Sequence, residues 1–385
     1  MPGILRSALN YNVSQEKEAM EDKRHIHALR LRNLLSFGDE GVTIDLLPLN
    51  VLIGPNASGK SNFIEALRLL RAAPRDLAQH FRDGGGIEHW LWKGASANPI
   101  AEIEATVAFT SHRASLRYRL RFTRADYRMQ LIEESIMRGS RKVGFPANGK
   151  LDPHQSALAQ LRGPNYPEIT HLSDIFSRIA IYQPWDLSAE GAVRRPQRAD
   201  LKADCLSENA DNLGIILNNY SLQTKQEIVG RLREVYEEVE EIQTTLQGGL
   251  VQIAIRERGL KQATPAIRLA DGLLRYLCWL TLLAGPQLPP LICIEEPEIG
   301  LHPDVIHKLA ELLIAASERT QLVITTQSTG FIHNFTDLPE AVVVCERSQS
   351  GTSLTRLEPQ RVGKWLKKYS LDDLWMMGEI GGTRW

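Results

Sequence analysis

Residues 49–67 read LNVLIGPNASGKSNFIEAL, and the fold class follows from this stretch. Val51, Leu52 and Ile53 form an unbroken apolar run, as a buried strand does. Gly54, Pro55, Asn56, Ala57, Ser58, Gly59, Lys60 and Ser61 then spell G-x-x-x-x-G-K-S, and Asn62 leads into a helix-like stretch. Strand, glycine loop and helix in this order are the context a phosphate-binding loop requires. The two glycines let the backbone curl until successive N–H groups point inward at phosphate oxygens. The following helix adds its positive N-terminal end at the same place. In this reading Lys60 reaches the β- and γ-phosphates of a nucleotide, and the Ser61 hydroxyl ligates magnesium. The competing reading is a glycine-rich turn without a ligand.

A phosphate loop alone binds; hydrolysis needs an acidic element as well. Leu291 to Ile294 is a second apolar run, and it ends in Glu295, Glu296 and Pro297. In an open parallel sheet, ligands sit at the C-terminal edge of the strands. Side chains alternate along a strand, so the two carboxylates take separate tasks. Glu295 supports magnesium, directly or through water. Glu296 faces the γ-phosphate and polarises the attacking water. The alternative is an acidic strand end running into a turn at Pro297. Further apolar runs at 322–326 and 341–345, with a crossover helix over 302–317, predict an α/β fold around a parallel sheet.

LNVLIGPNASGKSNFIEAL and LICIEEPEIGLHP (291–303), with LRLRNLLSFGD (29–39), resemble the ABC-type ATPase heads of the SMC, RecF and OLD proteins. The resemblance covers most of the chain. LADGLLRYL (269–277) is similar to their signature motif and IGLHP (299–303) to their D-loop. VITTQS (323–328) occupies the switch position, and YQPWDLSAEGAVRR (182–195) is similar to the Q-loop segment. The tail after Tyr369 resembles that of bacterial OLD-like ATPases. The resemblance implies a P-loop NTPase of the ABC type with a mixed core sheet, an antiparallel β subdomain and a helical insert. It implies ATP and Mg2+ as ligands, with Gln183 and Gln327 joining Glu295 and Glu296 at the site. It implies a homodimer with ATP at the interface, in which Asp271 and Gly272 cap the partner protomer's γ-phosphate. Read alone, Asp271 is better taken as the cap of an ordinary core helix, and it is the family order of the motifs that favours the signature reading.

Three positions depart from the pattern. Glu295 stands where Asp is usual, Gln327 where transporter-type cassettes have His, and Ala270 where Ser is common. Slow basal hydrolysis is therefore expected. By the same analogy the chain serves bacterial anti-phage defence beside a nuclease or toprim-like effector. Two other readings stay open: a DNA-repair ATPase that binds DNA itself, and a nucleotide-dependent scaffold with negligible hydrolysis. Neither a long coiled-coil arm nor an appended toprim nuclease is expected.

The expected organisation is a leader over 1–24 and one head over 25–385. Within it, 25–83 and 250–385 form the nucleotide core, 84–145 an antiparallel subdomain and 146–249 a helical lid insert. A helix is expected over 223–243. Residues 111–142 carry nine basic and three acidic residues, a net of +6. Arg117, Arg119 and Arg121 alternate and so share one strand face, either a phosphate track or a solvated sheet face. Arg194, Arg195 and Arg198 form a smaller cluster. Net charge is −1, so any nucleic-acid surface must be local. Cys205, Cys278, Cys293 and Cys345 are scattered, with no disulfide or zinc spacing. No signal-like or membrane-spanning apolar stretch is seen, which predicts a cytoplasmic protein without a membrane partner.

Overall fold

The computed structural model describes residues 24–95, 98–109, 114–145, 151–152 and 154–381. The expected leader, Arg113 and the end of the tail lie outside these. The first strands are β1 (Ile26–Arg32), β2 (Val42–Asp45) and β3 (Leu49–Ile53), followed by helix α1 (Lys60–Ala72). Strands β4 (Ala101–Phe109), β5 (Ala114–Ala125), β6 (Arg128–Arg138) and β7 (Arg141–Lys142) come next. They form the meander that their alternating pattern predicts. Its antiparallel sheet runs β2-β1-β4-β5-β6-β7. The boundary expected at residue 84 is thus corrected. β1 and β2 pair into the meander, with Leu31 opposite Ile103, and not into the nucleotide core.

The parallel sheet is built from β3, β8 (Ala180–Tyr182), β13 (Leu291–Glu295), β14 (Gln321–Thr326) and β15 (Val342–Ser348). β16 (Gly351–Arg356) closes one edge antiparallel, giving the order β16-β15-β3-β14-β13-β8. β8 falls in the stretch expected to be a lid insert, yet it pairs with β13 in the core sheet. Its strand neighbour fixes its place, which local pattern does not report.

The continuous apolar runs are explained by burial of both faces of this sheet. Val51, Ile53, Ile292, Ile294, Leu322 and Ile324 face one core. There they meet α5 (Asp271–Ala284) and α6 (Pro303–Ala316). Leu52, Leu291, Cys293, Val323 and Cys345 face the other core, against Phe63, Ile64 and Leu67 of α1 and the inner side of the antiparallel sheet. The remaining labelled helices are α2 (Leu77–Asp83), α3 (Pro167–Ser177) and α4 (Leu222–Arg233).

The helix expected over 223–243 ends at Arg233. Val239–Gln247 is instead strand β10, paired with β11 (Leu250–Glu257). Gly248 and Gly249 both have positive φ, 58° and 77°, the geometry of a tight two-residue hairpin turn. That turn, with Val239 and Ile242 buried on one face, overrides the helical propensity of the glutamates at 237–241. β9 (Gln197–Arg198) and β12 (Thr264–Pro265) complete this third sheet. No helix among the described residues is long and apolar enough to cross a membrane.

Candidate functional site

The phosphate loop leaves the C-terminal end of β3 and enters α1 at Lys60. Gly59 has φ +109°, and a Cβ there would collide with the Thr352 hydroxyl behind the loop. Thr352 Oγ1 lies 2.9 Å from the Ser58 carbonyl, which accepts its hydrogen bond, and 2.8 Å from Ser36 Oγ. The turn at 33–38 and the start of β16 therefore brace the loop from the side away from solvent. Asn56, Ala57 and Ser61 stay exposed. Lys60 is buried, and its ammonium donates to the carbonyls of Gly54 at 2.6 Å and Pro55 at 3.0 Å. Burial holds its pKa below the usual lysine value, opposed by Glu296 and Glu298 nearby.

Glu295 ends β13, and β8 lies beside it. Gln183 follows β8, and its amide donates to Glu295 Oε1 at 3.1 Å. Glu296 turns away, with φ +44° and its N–H bonded to the Thr325 carbonyl at 2.9 Å. Its Oε1 accepts from Gln327 Nε2 at 3.1 Å. The two carboxylates thus hold different partners.

Glu298 is the residue the sequence reading passed over. It is 7% exposed. One oxygen accepts from the Thr326 hydroxyl, whose own oxygen accepts from the Ser328 N–H at 3.0 Å. The other oxygen is buried without a partner. Burial, reinforced by Glu296, pushes its pKa up to about 7. Its position in LICIEEPEIGLHP is plain in the sequence; its burial is not, because Thr326 is far away along the chain.

Asp271 opens α5, but the N-cap is Ala270, so the reading of Asp271 as an ordinary helix cap is corrected. Its side chain is 67% exposed and paired with Arg194. Arg194 is buried and donates to the carbonyls of Leu187 at 2.6 Å, Ala266 at 2.9 Å and Leu269 at 2.8 Å. It pins the strip after Gln183 to the start of α5. Gly272 follows Asp271 beside the Tyr236 hydroxyl. Among the described residues, Asp271 and Gly272 make no hydrogen bond to their own phosphate loop.

A family model described as "AAA domain, putative AbiEii toxin, Type IV TA system" matches residues 49–333. The chain belongs to this family. Its match spans both the phosphate loop and the acidic strand, and the AAA assignment agrees with the geometry of both. No curated protein matches the chain in sequence. Among solved structures, the chain is similar to an Smc head bound to the C-terminal winged-helix domain of ScpA. The TM-score is 0.59 at 16% identity, covering 88% of this chain and 99% of that one. A second is an Smc head with an extended coiled coil from Pyrococcus furiosus, bound to the C-terminal domain of ScpA. Its TM-score is 0.56 at 13% identity, covering 89% and 99%. A third, the Smc head with coiled coil and joint from Pyrococcus yayanosii, gives 0.50 at 11% identity, covering 89% and 99%. The fold is that of an ABC-type ATPase head of the SMC and RecF group.

On this AAA head the arginine face changes meaning. Arg119 pairs with Glu104 at 2.7 Å, and Arg117 reaches the same carboxylate at 3.8 Å. Arg121 pairs with Glu133 at 2.9 Å and Glu102 at 3.5 Å. The strands flanking β5 supply the acids, so the face is a cross-strand ion-pair ladder. Of the two readings open for this face, these ion pairs favour the solvated sheet face. The smaller cluster is likewise consumed internally: Arg195 pairs with Glu190, and Arg198 with Asp200 at 2.6 Å.

The residues present fit ATP and magnesium. The loop offers exposed backbone at Asn56 and Ala57, a buried lysine amine, and a Ser58 hydroxyl buried without a partner. Among the described residues, no three His, Cys, Asp or Glu side chains form a metal cage.

Proposed function

We propose that the chain hydrolyses ATP with Mg2+ and closes as a homodimer around the nucleotide, and that closure gates a separate effector protein in bacterial anti-phage defence. One observation carries the catalytic part. Gln183 sits on Glu295, and Gln327 sits on Glu296, at the strand edge that also bears the phosphate loop. Magnesium, when bound, neutralises charge developing on the phosphates. Ser61, Glu295 and Gln183 would hold it. Asn62, Gly54, Pro55 and the loop N–H groups from Asn56 to Lys60 line and orient the phosphates. Glu296 accepts the proton of the attacking water, and the Gln327 amide orients that carboxylate and reads the γ-phosphate position. Gln327 carries no charge, which supports slow turnover.

The dimer reading is supported by layering. The signature helix α5 packs on one face of the parallel sheet and the phosphate-loop helix α1 on the other. An exposed Asp271 at the start of α5 is then available to a second copy. Glu296→Gln tests the assignment. Steady-state turnover should fall by a factor of roughly 100 to 10,000, while an ATP-dependent dimer persists in light scattering. A variant that still turns over at the wild-type rate rejects the role of Glu296.

A further inference from the structure

Residues 358–369 read Glu-Pro-Gln-Arg-Val-Gly-Lys-Trp-Leu-Lys-Lys-Tyr. A short helix over Pro359–Val362 continues as helical turns. Trp365 N–H donates to Val362 O at 2.9 Å, and Tyr369 N–H to Trp365 O at 3.0 Å. Val362 is buried and Leu366 packs on the same core, which fixes the inner side. The outer side holds two rows at i, i+4 spacing, and residues so spaced are neighbours on a helical surface. One row is Trp365 and Tyr369, 47% and 39% exposed, with ring centroids 6.3 Å apart and planes at 37°. The other row is Lys364 and Lys368, with Lys367 beside it, all exposed. Among the described residues, none of these three lysines makes an ion pair; Arg361 pairs with Glu358 at 2.9 Å. Trp365 and Arg361 also wall a cavity of about 440 Å³.

The contrast with β5 is informative. There Arg119 and Arg121 each have an acid opposite them and Arg117 reaches Glu104 from the next position; here, among the described residues, three lysines make no ion pair beside two exposed rings. Exposed aromatics next to unpaired cations are the recurring equipment of single-strand binding surfaces, where bases stack and phosphates meet lysines. An acidic peptide would use the lysines but gives no reason for two adjacent, partly exposed aromatic side chains. We infer that residues 361–369 are a docking platform for single-stranded nucleic acid, with Trp365 and Tyr369 stacking on bases and Lys364, Lys367 and Lys368 contacting phosphates. This inference does not depend on the ATPase reading, and turnover is measured separately.

The test is fluorescence anisotropy of a labelled oligothymidylate of about twelve nucleotides, within the range of single-strand sites, titrated with the full chain across a salt series. The wild type should bind, with a log–log salt slope of about −2 from three phosphate contacts. Replacing Lys364, Lys367 and Lys368 together by Ala should flatten the slope. Trp365→Ala with Tyr369→Ala should weaken binding roughly tenfold or more while keeping the slope. Arg117→Ala with Arg119→Ala should leave it unchanged. A urea melt with the wild-type midpoint confirms that each variant folds. No binding by the wild type at low salt overturns the inference, as does binding indifferent to both platform variants. So does an aromatic variant whose only effect is to convert a nucleotide-free dimer into a monomer, which would make the face a contact between copies.

Discussion

Glu298 joins two loops through the Thr326 hydroxyl and buries its second oxygen unpaired. Its pKa rises from 4.5 to about 7, so the folded state favours the neutral acid. The stability it contributes is fully present below the ordinary carboxylate range and is lost as pH rises through about 7. Glu298→Gln removes that dependence. In nucleotide-free urea melts, the wild type should lose up to about 3 kcal/mol relative to the variant between mildly acidic and mildly alkaline pH. Parallel pH profiles would show that the carboxyl does not titrate in this window. At this scale the sequence reports chemistry and hides environment. Glu295 and Glu296 are legible because they end an apolar strand. Arg194 looks like a free cation in the sequence and is a buried brace in the fold, because its acceptors at Ala266 and Leu269 come from a distant loop.

Elements whose partners lie nearby in the chain are read best. Strands β4 to β7 fall within the antiparallel subdomain expected over 84–145, and α1 follows the glycine loop as expected, since alternation and the glycine loop are local signals. The misread helix at 223–243 shows the opposite case, where a hairpin turn outweighs helix propensity. Sheet membership is less legible still. β1 shares a core with the parallel sheet, and the Gln321 side chain bridges the two by hydrogen bonds. That amide accepts from the Ile26 N–H at 3.0 Å and donates to the Ile26 carbonyl at 2.7 Å. Gln321→Leu keeps the volume but leaves both backbone groups buried and unpaired. It should cost roughly 3 kcal/mol, read as a lower urea midpoint with an unchanged slope. A shift below about 0.5 kcal/mol, the level of a neutral surface change, would show that the bridge is dispensable.

Across the whole molecule, the parallel sheet separates two halves of one chemistry. The phosphate loop, Glu295 and Glu296 share its C-terminal edge, whereas Asp271 and Gly272 are held to the Gln183 strip by Arg194. In the proposed dimer, that division favours a composite site and links Gln183, through Arg194, to the start of α5. Complementation between two inactive variants tests this most directly. Lys60→Ala disables the phosphate loop, and Gly272→Asp places negative charge where the partner's phosphate is proposed to sit. Each alone should lack turnover. Mixed, they form some dimers with one fully intact composite site, so a clear fraction of wild-type ATPase activity should return. A mixture no more active than the two variants measured separately, or a Gly272→Asp protein with undiminished turnover, would contradict a site shared between two copies of the chain.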